Sequence, residues 1–197
     1  MLFSTKNIYF DMVKSDAELQ QILTLQTANL KYQLSETTQQ SQGFLTVQHT
    51  LAQLLALNQD LPQIIAKADQ QLIGYALAMS ADSKGRVPEL QSMFDVFDAL
   101  QYQGKPLSAY GYYVMGQICV HADYRGKGIF RGLYETHKTL FSHNFELCIT
   151  EISSSNERSI RAHAQLGFET IHTYNDELDE WHIAIWDFAK QPKNEWL

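Results

Sequence analysis

The chain of 197 residues, 45% hydrophobic and 19% charged, is long enough to bury one sizeable core, which excludes intrinsic disorder. Its formal charge of −7, from 15 Lys and Arg against 22 Asp and Glu, opposes a default role on nucleic acid or an anionic membrane. Any phosphate-bearing ligand must therefore be held locally, by a specific loop. Two cysteines, Cys119 and Cys148, are too few for a disulfide framework and lie in apolar runs, as buried thiols do. No stretch has the length of a signal-peptide core or a membrane span, so a soluble, cytoplasmic, single domain over residues 1–197 is expected.

In chain order, residues 8–13 read as a strand, and Ser15-Asp16 as the cap of a helix beginning near Ala17. Helical periodicity runs in two pieces over residues 17–40, followed by a short apolar GFLTV after Gly43 and a helix over 50–58. Residues 62–80 read as a hairpin turning at 68–71, with Gly74 marking a bulge. The long segment 81–110 carries a helix over 90–100 with Met93, Phe94 and Phe97, then a Gly-Lys-Pro-Leu-Ser loop. It reads either as a substrate-side wall or as a cover for a sheet edge.

The second half alternates more clearly. A strand over 112–120 leads through HADYRGKG into a helix over 128–143, whose apolar stripe is Phe130, Leu133, Tyr134, His137 and Phe141. A strand over 147–152 follows, then a helix opened by Ser154 with Glu157 as a capping box and stopped at Gly167. A hairpin of 168–174 and 181–188 closes around NDELDE. The fold class is α/β, with a mixed, mainly antiparallel sheet flanked by helices.

The most informative stretch is QICVHADYRGKGIFRGLYETHK. Gly126 and Gly128 open an amphipathic helix directly after a strand. Glycines there let backbone approach a ligand, and the unpaired N–H groups and dipole of the helix start favour an anion. Arg125, Lys127 and Arg131 add full charges, which makes this a pyrophosphate cradle in an otherwise acidic chain. A Walker A loop would need GxxxxGK[ST], which is absent. A Rossmann fingerprint would need GxGxxG, but Arg131 holds the third glycine's place and Gly132 comes one residue late. The third reading is an acetyl-coenzyme A site.

Two stretches carry a family resemblance to support that third reading. ICVHADYRGKGIFRGLYETH resembles the central motif of the Gcn5-related N-acetyltransferase (GNAT) superfamily, Arg/Gln-x-x-Gly-x-Gly/Ala, through Arg125 and Gly128. NERSIRAHAQLGFE is similar to that family's second motif through Asn156, Gly167 and Phe168. The element order agrees over about residues 110–188. The resemblance implies a GNAT-like acyl-CoA N-acyltransferase fold, acetyl-CoA as co-substrate without a metal, and an amine acceptor on a small molecule or peptide. It places the pyrophosphate on the loop of Arg125, Gly126, Lys127 and Gly128 and on the helix start at Ile129, Phe130 and Arg131. It also implies that strand 112–120 splays from strand 147–152, baring amides near Ile118, Cys119 and Val120 for the pantetheine arm and the acetyl carbonyl. Two positions depart from the family pattern: Phe130 replaces a Gly or Ala, and His163 replaces a tyrosine that often protonates the leaving thiolate.

Amine acetylation by a thioester needs a neutral amine, an anion hole and a proton for the thiolate. An alkylamine of pKa ~10.4 is neutral only about four times in ten thousand at pH 7, so a base or a desolvated pocket helps. Glu151 reads as that base, directly or through water, or as a solvated strand-end carboxylate. His163 reads as the acid or as a core histidine. Asn156 is expected to bond the pantetheine amides, since Ser154 or Ser155 can cap the helix. Tyr112, Tyr113 and Gln117 line the acceptor side or simply pack. Cys119 permits an acetyl-cysteine intermediate or is a small buried residue. His172 and His182 find no carboxylate or cysteine to complete a metal set. The alternative function is a non-catalytic acyl-CoA-binding or regulatory domain, and a dinucleotide oxidoreductase is the distant third.

Overall fold

In the computed structural model, which describes residues 7–84, 91–177 and 179–190, strand β1 (Ile8–Met12) leads to helix α1 (Asp16–Thr27). Ser15 caps that helix, and Glu18 closes the capping box. The second helical piece divides into a 3-10 turn, Lys31–Gln33, and α2 (Glu36–Gln42), capped by Ser35. Helix α3 (Leu51–Asp60) opens on a Thr50–Gln53 box.

The expected hairpin forms from β2 (Ile64–Ala68) and β3 (Gln71–Ser80), turning through Asp69 at φ 55°. Its register slips between Ala66↔Gly74 and Lys67↔Leu72, so the extra residue is Ile73, beside the glycine expected to mark the bulge. Gly74 itself serves close packing. A Cβ there would stand 3.1 Å from both the Cys119 carbonyl and Ile129.

Helix α4 (Gln91–Ala99) follows, and Leu90, where the helix was expected to begin, lies outside the described residues. The stretch read as a loop contains a small hairpin of β4 (Gln101–Tyr102) and β5 (Lys105–Pro106). Its two-residue turn has φ 48° at Gln103 and 79° at Gly104, the left-handed pair that matches strand twist. The remaining elements are β6 (Tyr112–Val120), α5 (Ile129–Phe141), β7 (Leu147–Ser153), α6 (Glu157–Ala164), β8 (Glu169–Asn175) and β9 (Glu180–Asp187).

Seven strands make one sheet in the order β1-β2-β3-β6-β7-β9-β8, antiparallel throughout except for the β6–β7 pair. Alternation sends side chains to two cores. On one face Tyr75, Tyr112, Val114, Ile149 and Ile183 meet α1, α3 and α4. On the other, Ala76, Tyr113, Met115, Cys148 and Trp186 meet the stripe of α5. Gly132, on α5, lets β1 close on the helix: a Cβ there would stand 2.1 Å from the Phe10 ring. Among the described residues no helix is long and apolar enough to cross a membrane.

His137 lies wholly inside the α5 core, stacked on the Tyr113 ring at 5.8 Å. Burial penalises its cation and lowers its pKa from 6.5 to about 3. The unfolded chain then binds more protons than the native one between those values. The contribution of His137 to stability is therefore complete above pH 6.5 and is lost as the pH drops toward 3. His137→Phe is expected to flatten this slope in urea titrations over that window. An unchanged slope would show that the acid sensitivity arises elsewhere.

Candidate active site

The sheet opens at its one parallel pair. β6 and β7 are in register only at Tyr112↔Leu147, Tyr113↔Cys148 and Val114↔Ile149, although both strands continue. On its other edge β6 stays paired to β3 as far as Val120, with one slip between Leu77↔Gln117 and Ala78↔Met115. Gly116 is the extra residue of that bulge, and a bulge bends the strand that carries it. The peptide orientation beyond it follows from the ladder. His121 N–H donates to Ile73 O at 2.8 Å, so by alternation Cys119 also faces β3 and the groups of Ile118 and Val120 face the open side. Val120 O indeed accepts from Arg125 Nε at 3.0 Å.

A cleft of about 490 Å³ runs from this open edge over the starts of α5 and α6. Gly126 and Gly128 border it at φ 73° and 80°, conformations that favour glycine, and nothing lies within 4 Å of where their Cβ atoms would stand. Gly128 is the N-cap of α5 without a side-chain cap. The first amides of α5 therefore face the cleft without an intrahelical acceptor.

The cations flanking the cleft differ in role. Arg125 is a tie: its guanidinium donates to Val120 O, to Gln42 Oε1 at 3.0 Å and to Asn29 Oδ1 at 2.6 Å, fastening residues 29–42 across the cleft. Lys127 Nζ sits over the Tyr124 ring at 5.2 Å, and Arg131 donates to Gln165 O at 3.1 Å. Two further arginines line the cleft, Arg158 and Arg161. They recur with Ala162 on α6 and with Gln165 at its C-cap at helical spacing, a stripe that the sequence carries outside the glycine loop. Arg158 donates to Ser41 O at 2.9 Å and shares Gln42 Oε1 at 2.7 Å with Arg125.

Asn156 borders the cleft, but its side chain is occupied. Oδ1 accepts from Ser159 N–H at 3.3 Å as the N-cap of α6, and Nδ2 donates to Phe44 O at 3.1 Å. The expected Ser154–Glu157 box does not form, because Ser154 bonds Glu180 while Ser155 bonds Ser153 and Asp179.

Between the parted strands lies a slot of about 70 Å³ bordered by Gly116, Gln117, Ile118, Thr150, Glu151 and His163. His163 is buried among the Phe130, Tyr134 and Phe168 rings. Nδ1 lies 2.8 Å from Ser159 O and Nε2 lies 2.7 Å from the Tyr134 hydroxyl. A carbonyl only accepts, so Nδ1 carries the proton and Nε2 accepts from Tyr134. Burial lowers the pKa to about 4. The acid role expected for His163 does not fit these surroundings: the ring is neutral, and its one N–H is spent on a backbone carbonyl.

Glu151 lies on the opposite face with Leu147 and Ile149 and accepts a short hydrogen bond from Tyr174. Burial raises its pKa from 4.5 to about 7, against the opposing pull of the Tyr174 hydroxyl. Cys119 is buried, and that burial pushes its thiol up to about 12.

The three acceptor-side candidates separate. Gln117 borders the slot, with its amide engaged by Gln26, Tyr75 and Val47 O. Tyr112 faces the same side lower down the strand, edge-on to Phe97 of α4 at 6.4 Å. Tyr113 alternates to the other face and is packed into the α5 core, so it does not reach the acceptor side. Within segment 81–110, α4 packs Met93, Phe94 and Phe97 into the same core as Tyr112 and Ile149. Among the described residues no group of His, Cys, Asp and Glu could hold a metal ion.

The family model for the acetyltransferase (GNAT) family matches residues 29–168, and the chain belongs to that family. Solved structures share the fold. Ard1 from Thermoplasma volcanium superposes with a TM-score of 0.61 at 13% identity, over 91% of this chain and 97% of that one. The ribosomal-protein-S18-alanine N-acetyltransferase from Escherichia coli does so at 0.59 and 13%, over 97% and 100%. An N-acetyltransferase from Staphylococcus aureus Mu50 gives 0.59 and 17%, over 92% and 99%. No curated protein sequence matches the chain.

Since Asn156 both caps α6 and holds Phe44, Asn156→Ala is expected to cost about 1 kcal/mol. It should also raise amide exchange selectively over residues 43–46, the cleft rim it anchors. Hydrogen exchange with a urea midpoint tests this, and unchanged exchange at the rim would confine Asn156 to capping.

Proposed function

We propose that the protein is an acetyl-CoA-dependent N-acetyltransferase that moves the acetyl group to a primary amine of a small molecule or peptide, by direct attack. The observation that carries this reading is the parted β6–β7 edge, which joins a cationic cleft on one face to Glu151 on the other. The cleft fits the cofactor: two positive-φ glycines leave their Cβ positions open beside unpaired helix amides, which suits a pyrophosphate. The open peptide groups of Ile118 and the N–H of Val120, whose carbonyl accepts from Arg125, suit the amides of a pantetheine arm. The thioester, when bound, supplies an acetyl carbonyl already activated for attack.

Glu151 is the proposed base. A carboxylate with pKa about 7 is half ionised at neutrality and can take a proton from an ammonium group entering the slot. A solvated glutamate near pKa 4.3 would be a far weaker base. Cys119 keeps its proton at neutral pH, which supports direct attack over an acetyl-cysteine route. His163 is assigned to the core.

Release of free thiol with a panel of amines tests the reading. Stabilisation by coenzyme A without turnover on any amine would favour the acyl-CoA-binding alternative, and stabilisation by NADH alone would overturn both. Gly128→Val should weaken coenzyme A binding about tenfold or more, by strain at φ 80° and by filling the cradle. Calorimetry on a variant that still melts cooperatively checks this, and an unchanged Kd would remove the loop from the site. His163→Phe should keep kcat within about threefold while lowering Tm, since Tyr134 and Ser159 lose partners worth roughly 1–3 kcal/mol. A fall in kcat near 10² with an unaltered Tm would restore the acid role.

A further inference from the structure

Tyr174 touches the proposed base. It stands on the edge strand β8, two strands from β7, with β9 between them. In register Tyr174 lies opposite Trp181, which in turn lies opposite Ser153, so its ring reaches Glu151 diagonally across the intervening strand. Its hydroxyl donates to Glu151 Oε1 in a bond spanning 23 residues of sequence. Two further groups neighbour the phenol. The His172 ring stacks on it at 6.4 Å and 17°, and Ser92, at the start of α4, interacts with the hydroxyl.

We propose that Tyr174 is the positioning residue of Glu151: its hydroxyl holds Oε1 and fixes the carboxyl plane, so that the second oxygen faces the acceptor amine. This inference rests on Glu151 being the base. In the proton step the ammonium N–H bond breaks, an O–H bond forms on Glu151, and the amine keeps the electron pair for attack. Tyr174 keeps its own proton throughout, because burial and the neighbouring carboxylate raise its pKa far above neutrality.

The charge around the pair sets the direction of its effect. Glu151 is raised by burial and by Asp176 of the β8–β9 turn, and lowered by the Tyr174 bond. On α4, Asp95 and Asp98 are both paired to Lys84, at 2.9 and 2.7 Å. Asp179 bonds Ser153 and Ser155 and lies 3.6 Å from Lys31. Tyr174 is thus the group that favours the ionised form of Glu151 from within hydrogen-bond reach. Removing its hydroxyl should drive the carboxyl pKa upward.

The test uses the full chain with Tyr174→Phe, Ser92→Ala and Glu151→Gln. In Tyr174→Phe the acid limb of kcat/KM should move to higher pH by about one unit, a tenfold loss of rate well below the limb. KM for acetyl-CoA should stay unchanged, and Ser92→Ala should move the limb the same way by less. Carbon-13 NMR of the Glu151 carboxyl should show the same upward shift, and that readout needs no turnover. A carboxyl titration and an acid limb both unmoved in Tyr174→Phe, with Glu151→Gln inactive, would overturn the positioning role and leave the base intact. Full activity of Glu151→Gln with an unaltered pH profile would instead remove the base, and the role of Tyr174 with it. If Tyr174→Phe melts early, Ser92→Ala decides by the same two readouts.

Discussion

The parting of β6 from β7 is the constraint from which the rest of the site follows. A parallel pair in the middle of a sheet normally satisfies every peptide along its length, and buried unpaired peptides are costly. Here register holds for three residue pairs and then stops, because Gly116 adds a residue to β6 and turns it toward β3. Beyond the bulge, one edge of β6 remains fully paired while the other presents the peptides of Ile118 and Val120 to a cleft. The sheet tolerates the gap because β7 is tied to β9 along its whole length, from Leu147↔Asp187 to Ser153↔Trp181. The opening is therefore a rigid feature of two well-paired half-sheets, which is what a site for an extended ligand needs.

Charge in the cleft runs against the composition of the chain. Arg131 and Arg161 have glutamate partners one turn away on exposed helix surfaces, pairs that contribute little. Arg125 and Arg158 instead bond neutral oxygens, sharing Gln42 Oε1 and otherwise using carbonyls and Asn29. Their positive charge is left uncancelled by these bonds, and burial, with a smaller contribution from the neighbouring Arg158, lowers the pKa of Arg125. An anion entering the cleft would meet charge that the fold has positioned and not neutralised.

Histidine and glutamate respond to burial in opposite senses, and that difference sorts the titratable groups. Burial favours the neutral form of each. For His137 and His163 the neutral form is aromatic filling, suited to ring packing among Tyr113, Phe141, Tyr134 and Phe168. For Glu151 the same penalty lifts the carboxyl toward neutrality, and a single hydroxyl keeps it from rising further. One physical effect thus keeps two histidines neutral near pH 7 and brings one carboxyl close to its midpoint there.

The glycine loop, the strand before it, the amphipathic helix after it and the final hairpin were all legible in the sequence, because each depends on local spacing and turn chemistry. Gly126 and Gly128 announce positive φ wherever the chain goes, and the Ser15 cap acts within a few residues. The family resemblance through Arg125, Gly128, Asn156 and Gly167 added the splayed pair, which periodicity alone does not contain. What the sequence did not hold was the use to which long side chains are put. Arg125 looked like a phosphate ligand and became a tie between segments 96 and 83 residues apart. Asn156 looked free because two serines could cap, until Asp179 and Glu180 claimed them. His163 stood at a catalytic position, yet its tautomer is set by Ser159 and by Tyr134 from another helix. The partnership of Glu151 with Tyr174 needs β9 to lie between their strands, an order decided by packing. Hydrogen bonds and burial between distant segments are properties of the closed sheet, and only the tertiary structure assigns them.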